Sequence, residues 1–313
     1  MNMDATANSD GHAGTIGVVG LGHMGTNLAL NLVHNGRDVV AYDRNPARGA
    51  LIAAAGAMIA ADFKSFRACH VVITSLPDDD ALRTVTLEHL LGALPAGAIH
   101  VSMSTVSPGL SSSLARAHRE AGQDFVAAPV LGNPDLAMAR RLFVIAAGRA
   151  ASVERVRPLL ESLAERVFIL GEDVACASLM KLAANVLTAT TLQSMAEVLA
   201  LLRKGGIDQH VAYDVLTRSL FDSKVHKAYG GKIVDERYRP AGMVAPLAVK
   251  DMRLALSEAE SEGVPMPVAS LVRDRLVSLI AGGGADLDWS ALGLLEARDA
   301  GLAPSFKAGE RGR

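Results

Sequence analysis

Residues 16–25 read Ile-Gly-Val-Val-Gly-Leu-Gly-His-Met-Gly, and this stretch decides the fold class of the chain. The apolar residues of the strand predicted at Thr15–Val19 do not alternate with polar ones, which indicates burial on both faces, as in a parallel sheet covered by helices. A glycine-rich turn follows, and Met24–Asn35 has the length of a helix that ends before Gly36. The stretch therefore predicts the strand–turn–helix opening of an α/β domain.

The same alternation continues through the first half of the chain. A second helix is predicted at Pro46–Ala55, and the further predicted strands are Asp38–Tyr42, His70–Leu76, Ala98–Met103, Asp124–Ala127, Leu142–Ala147 and Val167–Leu170. After Gly171 the strand signal stops, and the sequence from Cys176 to about Arg298 predicts helices with short glycine breaks. The predicted fold class is α/β, an N-terminal Rossmann-type doubly wound sheet followed by an all-α C-terminal domain.

Composition and charge exclude several classes of function. A net charge of -2 gives no reason to expect nucleic acid or an anionic membrane as a partner, and 4% aromatic residues are too few for base-stacking platforms. The cysteines, Cys69 and Cys176, lack metal-binding or redox spacing, which favours a reducing compartment and a cytoplasmic location. The most apolar stretch, Leu179–Leu202, carries Lys181 and Asn185, so a buried helix is expected there and not a membrane span.

The glycine spacing predicts a dinucleotide site at the first turn. Gly20 allows the tight turn, Gly22 lets the backbone approach a pyrophosphate, and Gly25 permits close packing of strand and helix. The N-terminus of the helix then offers free N–H groups and a favourable dipole to the phosphates. The residues of the turn expected at the cofactor are Gly20, Leu21, Gly22, His23, Met24 and Gly25.

Asp43 and Arg44, at the end of the next strand, give conflicting indications of which dinucleotide binds. Asp43 would accept hydrogen bonds from the adenosine ribose hydroxyls and repel a 2′-phosphate, which favours NAD(H). Arg44 could form paired hydrogen bonds to that phosphate, which favours NADP(H), or could be a solvated loop residue. We expect both residues near the cofactor and favour NADP(H), or the use of both dinucleotides.

Further motifs follow in order along nearly the whole chain, from Thr15 to about Ala297. They are GLGHMG at 20–25, DRNP at 43–46, Leu76-Pro77, Ser104-Thr105 with Pro108, Ala128-Pro129-Val130, Lys181 with Asn185, Lys250-Asp251 and Asp288-Trp289-Ser290-Ala291. Together they resemble the β-hydroxyacid dehydrogenases, a family that includes 3-hydroxyisobutyrate dehydrogenase, tartronate semialdehyde reductase and glyoxylate/succinic semialdehyde reductase. Several spaced motifs in one order are more specific than any single motif.

The resemblance implies an NAD(P)-dependent oxidoreductase that transfers a hydride between nicotinamide and a small aldehyde, semialdehyde or 3-hydroxyacid. It implies that Lys181 is the catalytic residue and that Asn185 is a partner of the substrate or of the lysine. It also implies that the substrate carboxylate is held by Ser104, Gly132 and Asn133, and that further cofactor contacts come from Leu76, Pro77, Thr105 and Lys250.

Lys181 also stands out on physical grounds. It lies four residues before Asn185, so both side chains share one face of a helix that begins just after the last predicted strand. A lysine at the mouth between two domains can give a proton to a carbonyl oxygen and take it back in the reverse direction, and burial would lower its pKa towards neutrality. The competing interpretation is a snorkelling lysine on an interdomain helix. This chemistry requires no metal, and none of the histidines clusters with carboxylates at ligand spacing.

The loop after Ala-Pro-Val departs from the resembled family. Many members have Ser-Gly-Gly there, whereas this chain has Leu131-Gly132-Asn133, so a hydroxyl group is replaced by a bulky apolar side chain. The departure puts a short hydroxyacid substrate in doubt and makes a larger, less acidic aldehyde or ketone credible.

Three rival functions are weighed against the dehydrogenase. A decarboxylating 6-phosphogluconate dehydrogenase is rejected, because relatives of that type carry a histidine where this chain has Leu182-Ala183-Ala184. An imine or bulky-aldehyde reductase of the same fold stays open, although imine reductases usually replace the lysine. A non-catalytic dinucleotide-binding module also stays open, but the retention of Lys181, Asn185 and Ser104 favours an enzyme.

The predicted organisation has four parts. Residues 1–14, small and polar, are expected to be a disordered leader and not a signal peptide. Residues 15–175 are predicted to form the NAD(P)-binding Rossmann domain, residues 176–300 an all-helical substrate and oligomerisation domain, and residues 301–313 a tail. Long apolar helical faces need more cover than one small domain provides, which predicts a homodimer or homotetramer.

Overall fold

The computed structural model describes residues 14–303 of the chain. The predicted leader, apart from Gly14, and the part of the predicted tail that follows Ala303 lie outside the described residues. Within them, the first half of the chain alternates strands with helices, and helices make up the chain from Val174 onwards.

Six parallel strands form the main sheet in the order β3-β2-β1-β4-β5-β6. From β1 the chain adds β2 and β3 on one side and then β4, β5 and β6 on the other. The point between β1 and β4 where the order reverses is the switch point at which ligands bind in open α/β sheets. The fold class predicted from the sequence is confirmed by this order. The strands are β1 (Ile16–Val19), β2 (Val39–Tyr42), β3 (Met58–Ile59), β4 (Val71–Thr74), β5 (Ile99–Ser102) and β6 (Asp124–Ala127).

A second, three-stranded sheet contains the last two predicted strands. Its order is β7-β8-β9, and β7 runs antiparallel to β8 while β9 runs parallel to it. The sequence did not reveal β3 or β7, because each has only two residues and therefore no readable periodicity. The strands are β7 (Val130–Leu131), β8 (Leu142–Ala146) and β9 (Ala164–Ile169).

Helices cover the main sheet on both faces. In the first of them, Leu28, Ala29 and Leu32 are buried on one side at helical spacing and pack into the core beside β1 and β2. The helix predicted at Pro46–Ala55 is instead a 3₁₀ turn at Pro46–Gly49 followed by one short α-helix. The helices are α1 (His23–His34), α2 (Ala50–Ala54), α3 (Asp79–Thr84), α4 (Leu91–Ala93), α5 (Pro108–Glu120), α6 (Pro134–Met138) and α7 (Ala150–Leu163), with a π-helical stretch at Val85–Leu90 and a 3₁₀ turn at Phe63–Ala68.

The helical half is organised around one long helix, α8 (Val174–Lys204). By length and composition α8 is the one helix of the described chain that could cross a membrane. It carries buried Lys181, Asn185 and Gln193 and packs against the other helices, which is the environment of a core helix. The further helices are α9 (Gln209–Thr217), α10 (Lys224–Val234), α11 (Ala245–Ser261), α12 (Pro267–Ala281) and α13 (Leu292–Asp299), with a 3₁₀ turn at Trp289–Ala291.

The start of α8 joins the two halves of the molecule. Asp173 caps the helix by accepting a hydrogen bond from the Ala175 N–H. One turn later Ser178 meets Ser111 of α5, with 2.8 Å between the two buried hydroxyl oxygens. Because Lys181 follows Ser178 by three residues, this contact fixes the part of α8 that carries it at the boundary between sheet and helices.

Candidate active site

The turn between β1 and α1 has a different requirement for glycine at each of three positions. Gly20 adopts a φ of +93°, and a Cβ there would lie 2.4 Å from the Ser75 carbonyl oxygen. A Cβ on Gly25 would lie 1.8 Å from the Gly20 carbonyl oxygen, whereas a Cβ on Gly22 would meet nothing within 4 Å. Close packing therefore explains Gly20 and Gly25, and the open space at Gly22 fits an approaching diphosphate.

The N-terminus of α1 is free to bind an anion. Gly22 is the N-cap residue and supplies no side-chain hydrogen bond to the first turn. The unpaired N–H groups and the helix dipole are therefore available to phosphate groups. These features and the space at Gly22 fit the dinucleotide predicted from the sequence.

Asp43 points inwards and holds the turn together. Its Oδ2 accepts a hydrogen bond from the Leu21 N–H at 2.7 Å, and its Oδ1 accepts one from the Asn45 N–H at 2.8 Å. The Arg48 guanidinium lies 3.5 Å from Oδ2, and the Asp43 side chain is only 6% exposed. Arg44 is exposed. Each carboxylate oxygen of Asp43 thus accepts one backbone N–H, and the outer edge of this loop carries the positive charge of Arg44 and Arg48.

The loops that follow β4 and β5 meet at the same edge of the sheet. The Leu76 N–H donates to Ser104 Oγ at 2.9 Å. Lys250, which comes from α11, donates from Nζ to the Pro77 carbonyl oxygen at 3.0 Å and to the Thr105 carbonyl oxygen at 2.5 Å. The structure therefore brings together five residues that the resemblance assigned to the site, and Lys250 links the helical half to both loops.

Two hydrogen bonds and one ion pair connect Lys181 with Lys250. Lys181 Nζ donates to Asn185 Oδ1 at 2.9 Å, and Asn185 Nδ2 donates to Asp251 Oδ2 at 2.5 Å. The other oxygen of Asp251 forms an ion pair with Lys250 Nζ at 3.0 Å. Lys181, Asn185 and Asp251 are all buried. Helices α8 and α11 thus hold two ammonium groups on either side of one amide and one carboxylate.

Burial sets the protonation of Lys181. Desolvation lowers the pKa of its ammonium group to about 8, the nearby Lys250 charge also lowers it, and the Asp251 carboxylate opposes both by raising it. An ammonium group with this pKa exchanges its proton near neutral pH, which an exposed lysine does not do. The geometry therefore suits Lys181 for donating a proton and taking it back.

The loop that contains Gly132 and Asn133 is held by its own short helix. Gly132 adopts a φ of +143°, and a Cβ there would lie 2.7 Å from Leu142 Cδ2. Asn133 caps α6, because its Oδ1 accepts a hydrogen bond from the Leu136 N–H at 2.9 Å. Across from it lies Gly242, on which a Cβ would come within 3.8 Å of Asn133 Cβ. This loop therefore faces the helical half of the molecule.

No role was predicted from the sequence for two acidic residues at the site, Asp251 and Asp79. Asp251 joins Asn185 to Lys250, and its only sequence signal was its place beside Lys250. Asp79 accepts hydrogen bonds from the N–H and the hydroxyl of Ser107 at 3.0 and 2.5 Å, which ties the loop after β4 to the start of α5. No local sequence pattern predicts such contacts, because the partners are distant in the chain.

Two asparagines of α1 hold the helix that follows the Asn133 loop through hydrogen bonds. Asn27 Nδ2 donates to the Pro134 carbonyl oxygen at 2.9 Å, and the buried Asn31 Nδ2 donates to the Ala137 carbonyl oxygen at 2.6 Å. Both acceptors belong to α6, so the helix that starts at the glycine turn also carries the loop at Asn133. In residues 14–303, no three His, Cys, Asp or Glu side chains are grouped so that they could hold a metal ion.

Two family models match the chain in succession. The NAD binding domain of 6-phosphogluconate dehydrogenase matches residues 15–171. The model described as NAD-binding of NADP-dependent 3-hydroxyisobutyrate dehydrogenase matches residues 176–295. The two matches meet at the start of α8, where the sheet-containing half gives way to the helical half.

Related proteins cover nearly the same length. An uncharacterized oxidoreductase of Bacillus subtilis is 38% identical over 281 residues, 88% of this chain and 98% of its own length. The 2-(hydroxymethyl)glutarate dehydrogenase of Eubacterium barkeri is 30% identical, over 82% of this chain and 86% of its own. The crystal structure of 3-hydroxyisobutyrate dehydrogenase from Salmonella typhimurium superimposes with a TM-score of 0.83 at 26% identity, over 90% of this chain and 99% of its own.

Proposed function

The chain belongs to the β-hydroxyacid dehydrogenase family of NAD(P)-dependent oxidoreductases that act on CH–OH groups, and from that premise we propose that Lys181 is its acid–base residue. The observation that carries this proposal is a buried ammonium group, hydrogen-bonded to Asn185 and with a pKa lowered to about 8, at the boundary of the two halves. A group whose pKa lies near the working pH donates and regains a proton with little cost.

In the reducing direction, Lys181 Nζ gives its proton to the carbonyl oxygen of the substrate. In the oxidising direction, neutral Lys181 takes the proton of the substrate hydroxyl. When bound, a nicotinamide dinucleotide supplies or accepts the hydride. Asn185 Oδ1 orients Nζ, and Asp251 fixes the amide of Asn185 in turn, so the reactive nitrogen is held in one direction before substrate arrives.

The glycine turn and the loops after β4 and β5 are proposed to hold the cofactor. The free N–H groups of α1 take the diphosphate, and Lys250 closes the site by binding both loops. The residues proposed for this role are Gly20, Leu21, Gly22, His23, Met24, Gly25, Asp43, Arg44, Leu76, Pro77, Thr105 and Lys250.

NADP(H) is the proposed preference. The Asp43 carboxylate accepts hydrogen bonds from the N–H groups of Leu21 and Asn45, while Arg44 and Arg48 lie on the exposed side of the same loop. An Arg44→Ser variant is expected to lose roughly tenfold to hundredfold in kcat/KM for NADPH, the effect of one charged hydrogen bond, and to keep its value for NADH. Equal losses with both cofactors, or none, would contradict this preference.

The proposed substrate is a small carbonyl compound that carries a carboxylate, or the matching hydroxyacid. Ser104 and the loop at Gly132 and Asn133 would hold the carboxylate, and Asn185 would contact the substrate as well as Lys181. Leu131 adds apolar surface beside that loop, which favours a carbonyl compound bulkier than glyoxylate. This feature keeps bulky-aldehyde reduction as the second candidate activity.

The test is an activity screen with NADPH and NADH against short semialdehydes, glyoxylate and bulkier aldehydes. Lys181→Ala is expected to reduce turnover by about 10²–10⁴-fold, the usual contribution of a positioned acid–base group. Lys64→Ala, which removes an exposed lysine of the sheet-containing half, serves as the control. Parent-like turnover in Lys181→Ala would refute the catalytic assignment, and cofactor binding without any turnover would favour a binding module.

A second copy of the chain is proposed to cover the outer face of α8. Leu187 and Leu201 are 69% and 70% exposed, and Val211 and Val215 of the adjacent α9 are also exposed. An apolar surface of this kind marks an interface. We propose a homodimer or homotetramer in the cytoplasm, and Leu187→Asp is expected to lower the mass measured by light scattering. An unchanged mass for the variant and a monomeric parent would each overturn the proposal.

A further inference from the structure

We propose that Lys232 and the side-chain amide of Asn133 form a subsite for the carboxylate of the substrate, in place of the serine hydroxyl that Leu131 displaces. This inference rests on the proposed function and deepens it by naming a cation that the sequence motifs do not include. Lys232 belongs to α10 in the helical half, and Asn133 belongs to the loop before α6 in the sheet-containing half.

Both side chains lie beside Gly242. A Cβ on Gly242 would lie 3.6 Å from Lys232 Nζ and 3.8 Å from Asn133 Cβ. Because glycine has no side chain, neither group is separated from the other by bulk at this point. The ammonium group of one half of the molecule therefore stands beside the proposed substrate loop of the other half.

Both groups have donors to offer. Asn133 uses its Oδ1 to cap α6, and its Nδ2 carries two further hydrogens that can be donated. Lys232 gives one of its three hydrogens to Asp288 Oδ2 at 2.9 Å and keeps the others, and its side chain is 22% exposed. An incoming carboxylate accepts several such bonds, and bonds to ionised partners are the stronger ones.

Asp288 does not depend on Lys232 for its hydrogen bonds. Its carboxylate is buried and accepts from the Gly242 N–H at 2.9 Å and from the N–H and hydroxyl of Ser290 at 3.0 and 2.6 Å. Those contacts pin the loop at Gly242 and aim Lys232 at the same place. The ion pair with Asp288 therefore positions the Lys232 ammonium group while leaving it partly accessible. In a fully buried ion pair the ammonium group would not be accessible.

The surroundings strengthen an interaction with an anion. The Tyr229 ring, one turn earlier on α10, lies 5.5 Å from Lys232 Nζ and packs edge-on against Trp289. Leu131, two residues before Asn133, is half-buried and apolar. Charges attract more strongly where water is displaced by apolar walls, so a carboxylate held here gains more than it would at an open surface.

The competing explanation is that Lys232 serves only as the counter-ion of Asp288. In that case its removal changes stability but treats all substrates alike. A subsite for a carboxylate instead changes the choice between an anionic and a neutral substrate of the same length. Succinic semialdehyde and butanal form such a pair of probes.

The experiment measures kcat/KM for both aldehydes at saturating NADPH in the full chain. Lys232→Met is expected to lose roughly tenfold to hundredfold with succinic semialdehyde, mostly through KM, and to stay near the parent with butanal. Lys232→Arg keeps the charge and should retain most of the activity. Lys224→Met, which removes a lysine from the exposed start of the same helix, is the control and should leave both values unchanged.

Asn133→Asp tests the second half of the subsite. Aspartate keeps the acceptor that caps α6 but replaces the amide donor with a negative charge. It is expected to lose at least as much with succinic semialdehyde as Lys232→Met does, at an unchanged melting temperature. Loss of the α6 cap would instead lower that temperature.

Three results overturn the inference. They are equal losses with both aldehydes in Lys232→Met, a parent that reduces butanal as well as succinic semialdehyde, and an Asn133→Asp variant that keeps the parent's preference. A different result would refute the proposed function, namely a Lys181→Ala variant that turns over either aldehyde at the rate of the parent.

Discussion

The pH dependence of reduction follows from the environment of Lys181. In the proposed mechanism reduction requires the protonated ammonium group of Lys181, and burial lowers the pKa of that group to about 8. Between about pH 7 and about pH 9 the protonated fraction falls about tenfold, and it falls about tenfold again by about pH 10. A lysine with an ordinary pKa of 10.5 would hold its activity over the first of these intervals. The reverse oxidation needs the neutral amine, so its rate is expected to rise where reduction declines.

The measurement is kcat/KM for reduction across this range at saturating cofactor and constant ionic strength. The Asp251 carboxylate raises the pKa of Lys181, so Asp251→Asn is expected to move the decline to lower pH. Asparagine still offers an oxygen to the Asn185 amide, so the geometry of Lys181 is kept. A rate of reduction that holds level to about pH 10, or a decline that moves to higher pH in Asp251→Asn, would refute the reasoning.

The same burial carries a cost in stability. A pKa held at about 8, below the ordinary 10.5, means that keeping Lys181 charged in the folded chain costs about 3 kcal/mol. The penalty is full below about pH 8 and disappears as the pH rises towards 10.5, since the unfolded chain then also loses the proton. Lys181→Met is therefore expected to melt at a higher temperature than the parent at neutral pH, with the gap closing near pH 10. A less stable variant at neutral pH would contradict this.

Three further predictions concern the framework of the site. Burial lowers the pKa of His118 to about 4, so the free energy of unfolding should stay level above about pH 6.5 and lose about 3 kcal/mol as the pH falls towards 4, which thermal unfolding will show. Asn31→Leu removes one of the two hydrogen bonds to the Ala137 carbonyl of α6, and it is expected to raise the substrate KM while the Kd of the cofactor, from fluorescence titration, stays unchanged. Gly25→Ala meets the Gly20 carbonyl and should cost about 1–3 kcal/mol or more, whereas Gly22→Ala meets nothing and should keep the melting temperature but weaken cofactor binding.

His118 belongs to a chain of buried hydrogen bonds that the sequence did not predict. Gln123 Nε2 donates to the Leu94 carbonyl oxygen, so Gln123 Oε1 must accept from His118 Nδ1. His118 Nε2 then accepts from His100 Nδ1, and His100 Nε2 accepts from the Thr74 hydroxyl. All of these side chains are buried, and every bond in the chain is satisfied only while both imidazoles are neutral. Burial is the main reason why the pKa of His118 is lowered, and a proton that enters the chain would in addition break one of these bonds.

The sequence by itself determined the features whose causes are local. Gly20 adopts a φ of +93°, Gly25 packs against the Gly20 carbonyl and Gly22 faces open space. All three lie within ten consecutive residues, so their spacing predicts the turn. Unbroken apolar runs predicted buried parallel strands, and the loss of that signal after Gly171 predicted the change to helices. The pairing of Lys181 with Asn185 was readable for the same reason, since four residues make one helical turn.

The tertiary structure alone decided what depends on distant segments meeting. Asp251 reaches Asn185 because α11 packs on α8, and Lys232 and Asn133 both lie beside Gly242 although they are about a hundred residues apart. Asp43 holds the glycine turn through its Oδ2 and its own loop through its Oδ1, which its position at the end of β2 did not indicate. Each of these contacts depends on how whole elements pack, and packing is set by buried surface spread over many residues, so no short pattern encodes it.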